Sequence, residues 1–213
     1  MSTHSEEEQI ALVKDWWQRN GKPLLTGGVL ALAGIFGWQA WQKHEAANAA
    51  AAGSAFQQLL ELALVPEPDT AKVVDLANRL NKDHGGSIQA QYASLLLAKL
   101  AVDGGRLEEA AEALQGIVKK PADAATGEIA QQRLARVLAA QGKAEEALKL
   151  LDGAPKAKQF EALREELRGD LLVRLGRRDE ARAAYEKAKS AQSEEAAQGT
   201  LQMKLDDLSE GDA

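Results

Sequence analysis

At 213 residues the chain is short for two full domains and comfortable for one core with an appendage. Alanine and leucine dominate it while aromatics make up only 4%, which excludes an all-β fold and points to helices packed at close range. Residues 1–44 hold four basic and four acidic side chains, so the net charge of −6 belongs to residues 45–213; such an acidic body lacks the basic face that phosphate contacts need, and no nucleic-acid partner is expected.

All four tryptophans, Trp16, Trp17, Trp38 and Trp41, fall at the amino-terminal end. There, Leu24 to Trp41 forms an unbroken run without a formal charge, flanked by Lys22 and Lys43. A membrane-crossing helix needs about 20 residues, at about 1.5 Å each, so the run is just long enough. A buried core helix is the alternative, yet in this chain it should resemble its alanine-leucine neighbours; Trp38 and Trp41 instead stand where interfacial tryptophans sit in a bilayer. Pro23 is read as a tolerated first-turn proline. A cleaved signal peptide fits less well, because the run is long and follows a polar stretch containing Glu6, Glu7 and Glu8. An uncleaved anchor over 23–42 is therefore expected. Lys14, Arg19 and Lys22 precede the span while Lys43 alone follows closely, which by the positive-inside rule leaves the tail, 1–22, in the cytoplasm and exports the larger part.

Within the tail, Ile10, Val13 and Trp17 share a helical face, beside Leu12 and Trp16; this reads as an interfacial helix on the cytoplasmic leaflet, the alternative being a frayed tail. Gly27, Ala31 and Gly34 would let a second helix approach the span, a weak motif because small residues are common in such helices. A helical extension is expected over 43–66, with Ala46 to Ala63 continuing out of the membrane. After Pro66 and Pro68, Thr70 to Lys82 reads as a helix of a degenerate first repeat.

Residues 67–192 contain an internal repeat. Gly105-Arg-Leu-Glu-Glu-Ala110, Gly142-Lys-Ala-Glu-Glu-Ala147 and Gly176-Arg-Arg-Asp-Glu-Ala181 align, and the step from Gly142 to Gly176 equals the period of about 34 residues found in one class of helical-hairpin repeat. Each glycine follows an apolar helical run (Tyr92 to Ala101, Ile129 to Ala140, Leu163 to Leu175) and opens a second one, giving helical hairpins over about 91–121, 128–155 and 162–190. Pro121 and Pro155 mark the ends of the first two. The stretch Gly169 to Ala188, with Gly169, Leu172, Gly176, Ala181, Tyr185 and Ala188 in place, resembles a tetratricopeptide repeat, and the other two units match it more weakly. Residues 193–213 should supply a capping helix, with Ala197, Leu201, Leu205 and Leu208 on one stripe, and a short polar tail, Ser209 to Ala213, too short to be ordered. The fold class expected is all-α: one amino-terminal transmembrane helix followed by a tetratricopeptide-repeat α-solenoid.

No chemistry is signalled. There is no cysteine, and His4, His44 and His84 stand far apart in the chain without carboxylates at ligand spacing, so no catalytic residue, metal site or cofactor is expected. The pairs Glu108/Glu109, Glu145/Glu146 and Glu165/Glu166 read as solvated helix-start carboxylates. The doublets Gly27-Gly28, Gly85-Gly86 and Gly104-Gly105 lack the spacing of a phosphate loop. Binding is the activity to expect, along a groove formed by the first helices of the hairpins. Its candidate residues are Tyr92, Lys99, Gln132, Arg136, Glu166, Asp170 and Arg174, the bland alternative being ordinary exposed helix positions.

The whole arrangement, with Trp16-Trp17 ahead of Asn20-Gly21, one span, an alanine-rich extension and an exported repeat body, resembles the YfgM-like family. The resemblance implies an ancillary subunit of the SecYEG translocon in the bacterial inner membrane, single-pass with a cytoplasmic amino terminus and a periplasmic body. It implies a membrane-anchored periplasmic prolyl isomerase chaperone, PpiD, as a partner, help for emerging secreted chains on their way to folding factors, and in some bacteria a link between the cytoplasmic tail and an envelope-stress regulator. The other function the residues leave open is a scaffold that docks cell-wall or outer-membrane machinery through the same groove.

Overall fold

In a computed structural model, residues 3–191 and 199–210 are described, the side chains of 3–9 and 210 excepted, and their regular structure is helical, with no strand among them. Two compact units result, Met1–Ala51 and Ala52–Ala213.

The first unit consists of most of helix α1, Thr3–Ala63. No break separates tail, span and extension. Pro23 lies inside this helix, not in its first turn, so the sequence reading is corrected there. A helix that continues through Pro23 loses the hydrogen bond that residue 23 would donate to the Arg19 carbonyl. Close to the proline, Thr26 donates its hydroxyl to the Lys22 carbonyl at 2.8 Å, and the Asn20 amide donates to that of Trp16 at 3.1 Å. From Ile10 to Trp41 the large apolar side chains are half or more exposed, on every face of the helix. Helices that are apolar all round belong in a larger core or a membrane, and this one is long and apolar enough to cross.

Among its described residues, the second unit stacks the end of α1 with eight further α-helices. These are α2 Thr70–His84, α3 Ile88–Asp103, α4 Leu107–Lys119, α5 Ala124–Ala140, α6 Ala144–Leu150, α7 Glu161–Arg174, α8 Arg178–Ala191 and α9 Thr200–Glu210. Side-chain caps start three of them: Asp69, Ser87 and Asp123 accept the backbone N–H of Lys72, Ala90 and Thr126. Hairpins α3/α4, α5/α6 and α7/α8 turn at Gly105, Gly142 and Gly176, with φ of +72°, +80° and +72°. At each turn the next residue donates back five positions, Arg106 to Ala101, Lys143 to Leu138 and Arg177 to Leu172, at 2.8–2.9 Å. This is the Schellman closure, which uses helix-end carbonyls and needs a left-handed residue that only glycine supplies without strain.

Two apolar clusters hold the unit. One joins Ala52 and Leu59 of α1 to Val73, Ala77 and Leu80 of α2 and to Ala90 and Ala93 of α3. The other runs from α3 to α9, with alanines at its close approaches: Ala110, Ala147, Ala181 and Ala188 are fully buried. Gly169 makes the closest of these contacts, since a Cβ there would overlap the Tyr185 ring. Leu201 and Leu208 of α9 are buried in the same cluster. Ala197, expected on that stripe, lies outside the described residues, as do residues 192–198 generally. The tail is corrected in part: Ser209 and Glu210 belong to α9, whose Ser209 hydroxyl donates to the Asp206 carbonyl.

Candidate interaction surface

The first helices of the three hairpins, α3, α5 and α7, adjoin one another, and they carry all seven expected groove residues. Six have some exposure. Gln132 does not: it is 4% exposed, with its amide donating to Glu128 and to the Phe160 carbonyl, so it stands inside the unit and is corrected as a surface residue. Tyr92 lies 6.1 Å, ring to ring, from Phe56. Glu166 and Asp170 are brought together by Lys204 of α9, whose ammonium donates to them at 2.8 and 2.6 Å. Asp170 also accepts the Tyr185 hydroxyl at 2.8 Å. Burial, and then this bond to a carboxylate, push the Tyr185 hydroxyl well above its ordinary pKa. Burial works against the Lys204 charge, but the hydrogen bonds to Asp170 and Glu166 outweigh it and raise its pKa. Arg174 stays exposed, 3.5 Å from the Ala139 carbonyl.

Lys99 and Arg136 are the pair that shares a cavity. A cleft of about 310 Å³ opens between α3, α4 and α5, with Leu95, Leu114 and Val137 at its base and Lys99, Asp103, Arg133 and Arg136 along its edge. Sequence reasoning missed Arg133, although it precedes Arg136 by three positions, the spacing that puts two side chains on one helical face. It also missed Lys204, for which no sequence signal existed.

Glu165 is a further correction. The sequence pattern paired it with Glu166 as a solvated helix start, but α7 begins at Glu161 and Glu165 lies a turn inside. There it is buried, in ion pairs with Lys187 at 2.7 Å and Arg168 at 3.6 Å. The true counterpart of Glu108/Glu109 and Glu145/Glu146 in the third hairpin is Asp179/Glu180, in the first turn of α8. Among the described residues no group of three or more His, Asp or Glu is placed to hold a metal. Trp16, Trp17, Trp38 and Trp41 are all more than half exposed on α1, with the Trp38 and Trp41 rings 5.1 Å apart and the Trp17 ring lying over Gly21.

Comparison with known proteins places this geometry. A family model described as a tetratricopeptide repeat-like domain matches residues 14–210. A protein of Escherichia coli (strain K12), named ancillary SecYEG translocon subunit, is 32% identical over 205 residues, covering 96% of this chain and 97% of its own. The chain belongs to the YfgM-like family. Other relatives with the same printed name come from Haemophilus influenzae, 29% identical over 95% of the chain and 97% of the relative, and from Neisseria gonorrhoeae, 30% identical over 98% and 100%. The match to the family model takes in α1 from residue 14 onward as well as the hairpins.

Proposed function

We propose that this protein is an anchored interaction module ancillary to the SecYEG translocon, acting by contact and not by catalysis. Supporting this reading most directly is the full-length similarity to ancillary translocon subunits, which takes in both the apolar helix and the hairpin array. The array offers the extended inner surface that helical solenoids use for partners. The anchor spans the inner membrane over 23–42 with residues 1–22 in the cytoplasm, and Lys14, Arg19 and Lys22 favour that direction over the reverse. From the far side the repeat unit, 67–192 with its capping helix, recruits a membrane-anchored prolyl isomerase chaperone of the PpiD kind and helps emerging chains reach it. The cytoplasmic tail is the part open to an envelope-stress regulator.

Affinity capture of the full chain in mild detergent, set against a chain lacking residues 1–44, tests the reading. Translocon subunits and the prolyl isomerase should be retained by the full chain, and the translocon lost with the anchor. Recovery of wall-synthesis proteins with neither of them would replace the reading by the scaffold alternative. Protease protection on vesicles of both orientations tests topology: cleavage of the repeat unit only where the cytoplasmic face is exposed would sink either envelope role.

A further inference from the structure

The cleft between α3, α4 and α5 joins an aliphatic base to two arginines on its edge. Its base is aliphatic: Leu95, Leu114 and Val137 with Val102, itself two-fifths exposed. Along its edge Lys99 and Asp103 neutralise each other in an ion pair. Arg133 and Arg136 are both exposed, and among the described residues neither has a hydrogen-bond or ion-pair partner. Elsewhere in the unit arginines are committed: Arg79 to Asp75, Arg106 to Glu109, Arg168 to Asp152 and Arg177 to Glu180. Two uncommitted guanidiniums beside an apolar slot, on a chain of net charge −6, are complementary to carboxylate next to hydrocarbon.

We propose that this cleft docks a segment of a partner protein in which one large apolar side chain is flanked by acidic residues. The apolar side chain enters between α3 and α5, and the carboxylates pair with Arg133 and Arg136. At about 310 Å³ the cleft is at the small end of ligand-binding cavities and suits one such anchor. The inference rests on the reading of the array as an interaction module and assigns that module a position and a preferred ligand chemistry.

The test uses the full chain in mild detergent and fluorescence anisotropy with labelled peptides carrying Glu-Phe-Asp-Glu in a glycine-serine background. Saturable binding is expected, about tenfold weaker or worse when the acids become Gln and Asn, and likewise when Phe becomes Ser. Arg133→Gln with Arg136→Gln should weaken it by about tenfold or more, while Arg79→Gln with Lys82→Gln, an equal charge change on α2, leaves it intact. Because neither Arg133 nor Arg136 has a partner among the described residues, circular dichroism should show the double variant folded as the parent. Absence of saturable binding, equal binding of the amide peptide, or an unaffected double variant overturns the proposal. So does binding of dihexanoyl phosphatidylglycerol in place of any peptide, since the cleft then takes a lipid. Translocon capture is measured on the same proteins: its failure in the parent chain refutes the proposed function, whereas the peptide series alone decides the cleft.

Discussion

Removing the carboxylate of Glu128 isolates the most buried charge in the repeat unit. Glu128 on α5 and Arg164 on α7 are each 2% exposed, and the guanidinium donates to the carboxylate at 2.7 Å. Arg164 also donates to the carbonyls of Leu151 and Asp152, both at 3.2 Å, and to Gln131 at 3.3 Å. Glu128→Ala leaves a guanidinium buried without its counter-charge, a defect that costs about 3–5 kcal/mol. For a chain of this size that lowers the unfolding midpoint by about 6–20 °C. Glu128→Gln keeps an acceptor at the same place and should lie between parent and Ala. Arg164→Met leaves the Glu128 carboxylate buried without its counter-charge and takes a donor from the Asp152 carbonyl, while the Leu151 carbonyl keeps its bond from Arg168, so it is destabilising as well. Thermal unfolding of the full chain in mild detergent, followed by far-ultraviolet circular dichroism, measures all three and the double variant Glu128→Ala/Arg164→Met. The pair should couple, the double variant being less destabilised than the sum of the singles by about 1 kcal/mol or more. Additivity of the singles, or a Glu128→Ala midpoint indistinguishable from the parent, would refute the assignment of this pair as the lock between the second and third hairpins.

Gly169→Ala should destabilise the third hairpin by about 1–3 kcal/mol through overlap with the Tyr185 ring, and Tyr185→Leu in the same chain should recover part of the loss in the same melt. Gly142→Ala, at φ +80°, should cost about 1 kcal/mol of stability, where Gly116→Ala, inside α4 with open space around it, should cost none. The Thr126 backbone N–H at Asp123, and the Lys72 hydrogen bonds at Asp69, hold these capping carboxyls below the ordinary value of 3.8. Since the folded pKa is the lower one, their stabilisation is present above that value and is lost as pH falls through the folded one; Asp123→Asn, which still caps but cannot titrate, should blunt the acid sensitivity of the melt. For Tyr185 the sign is opposite: its folded pKa is raised, so its contribution holds below the ordinary value of 10.0 and fades as pH rises above it, and Tyr185→Phe should flatten the alkaline limb of the stability curve.

The parts of the fold governed by local rules were legible in the sequence. Gly105, Gly142 and Gly176 announced the hairpin turns because a left-handed helix end has almost no other occupant, and Leu24 to Trp41 announced a helix without a soluble core partner by having no charge on any face. Pro23 misled because local rules place proline at helix starts, whereas only the continuation of α1 on both sides shows it in the interior. Tyr92, Lys99, Arg136 and Arg174 were found as exposed by counting along helices. What counting could not supply was which exposed charges had already found partners, and that separates Arg133 and Arg136 from Glu166 and Asp170, which Lys204 engages from a distant helix of the chain.

Gln132 shows why the remaining error was physical and not a slip of register. The interval from Gly142 to Gly176 equals the tetratricopeptide period of about 34 residues, yet it is reached by compensation. Helix α6 spans 7 residues where α4 has 13 and α8 has 14, and an irregular link from Asp152 to Ala157 makes up the count. A helix that stops early leaves carbonyls that its own chain does not satisfy. Neighbouring helices satisfy them here: Gln131 of α5 donates to Leu150, Arg164 of α7 to Leu151 and Asp152, and Arg168 to Leu151 at 3.0 Å. Those side chains turn inward, and the charge that Arg164 brings requires Glu128 opposite it, which in turn accepts from Gln132. A position that faces outward beside a full-length second helix is thus drawn into a polar network beside a short one. Lengthening α6 should then release Gln132. With Asp152-Gly153-Ala154 replaced by a helical Glu-Ala-Leu stretch, hydrogen exchange at the Gln132 side-chain amide should rise toward that of exposed glutamines. Unchanged protection would mean that the burial of Gln132 has a cause other than the truncation of α6.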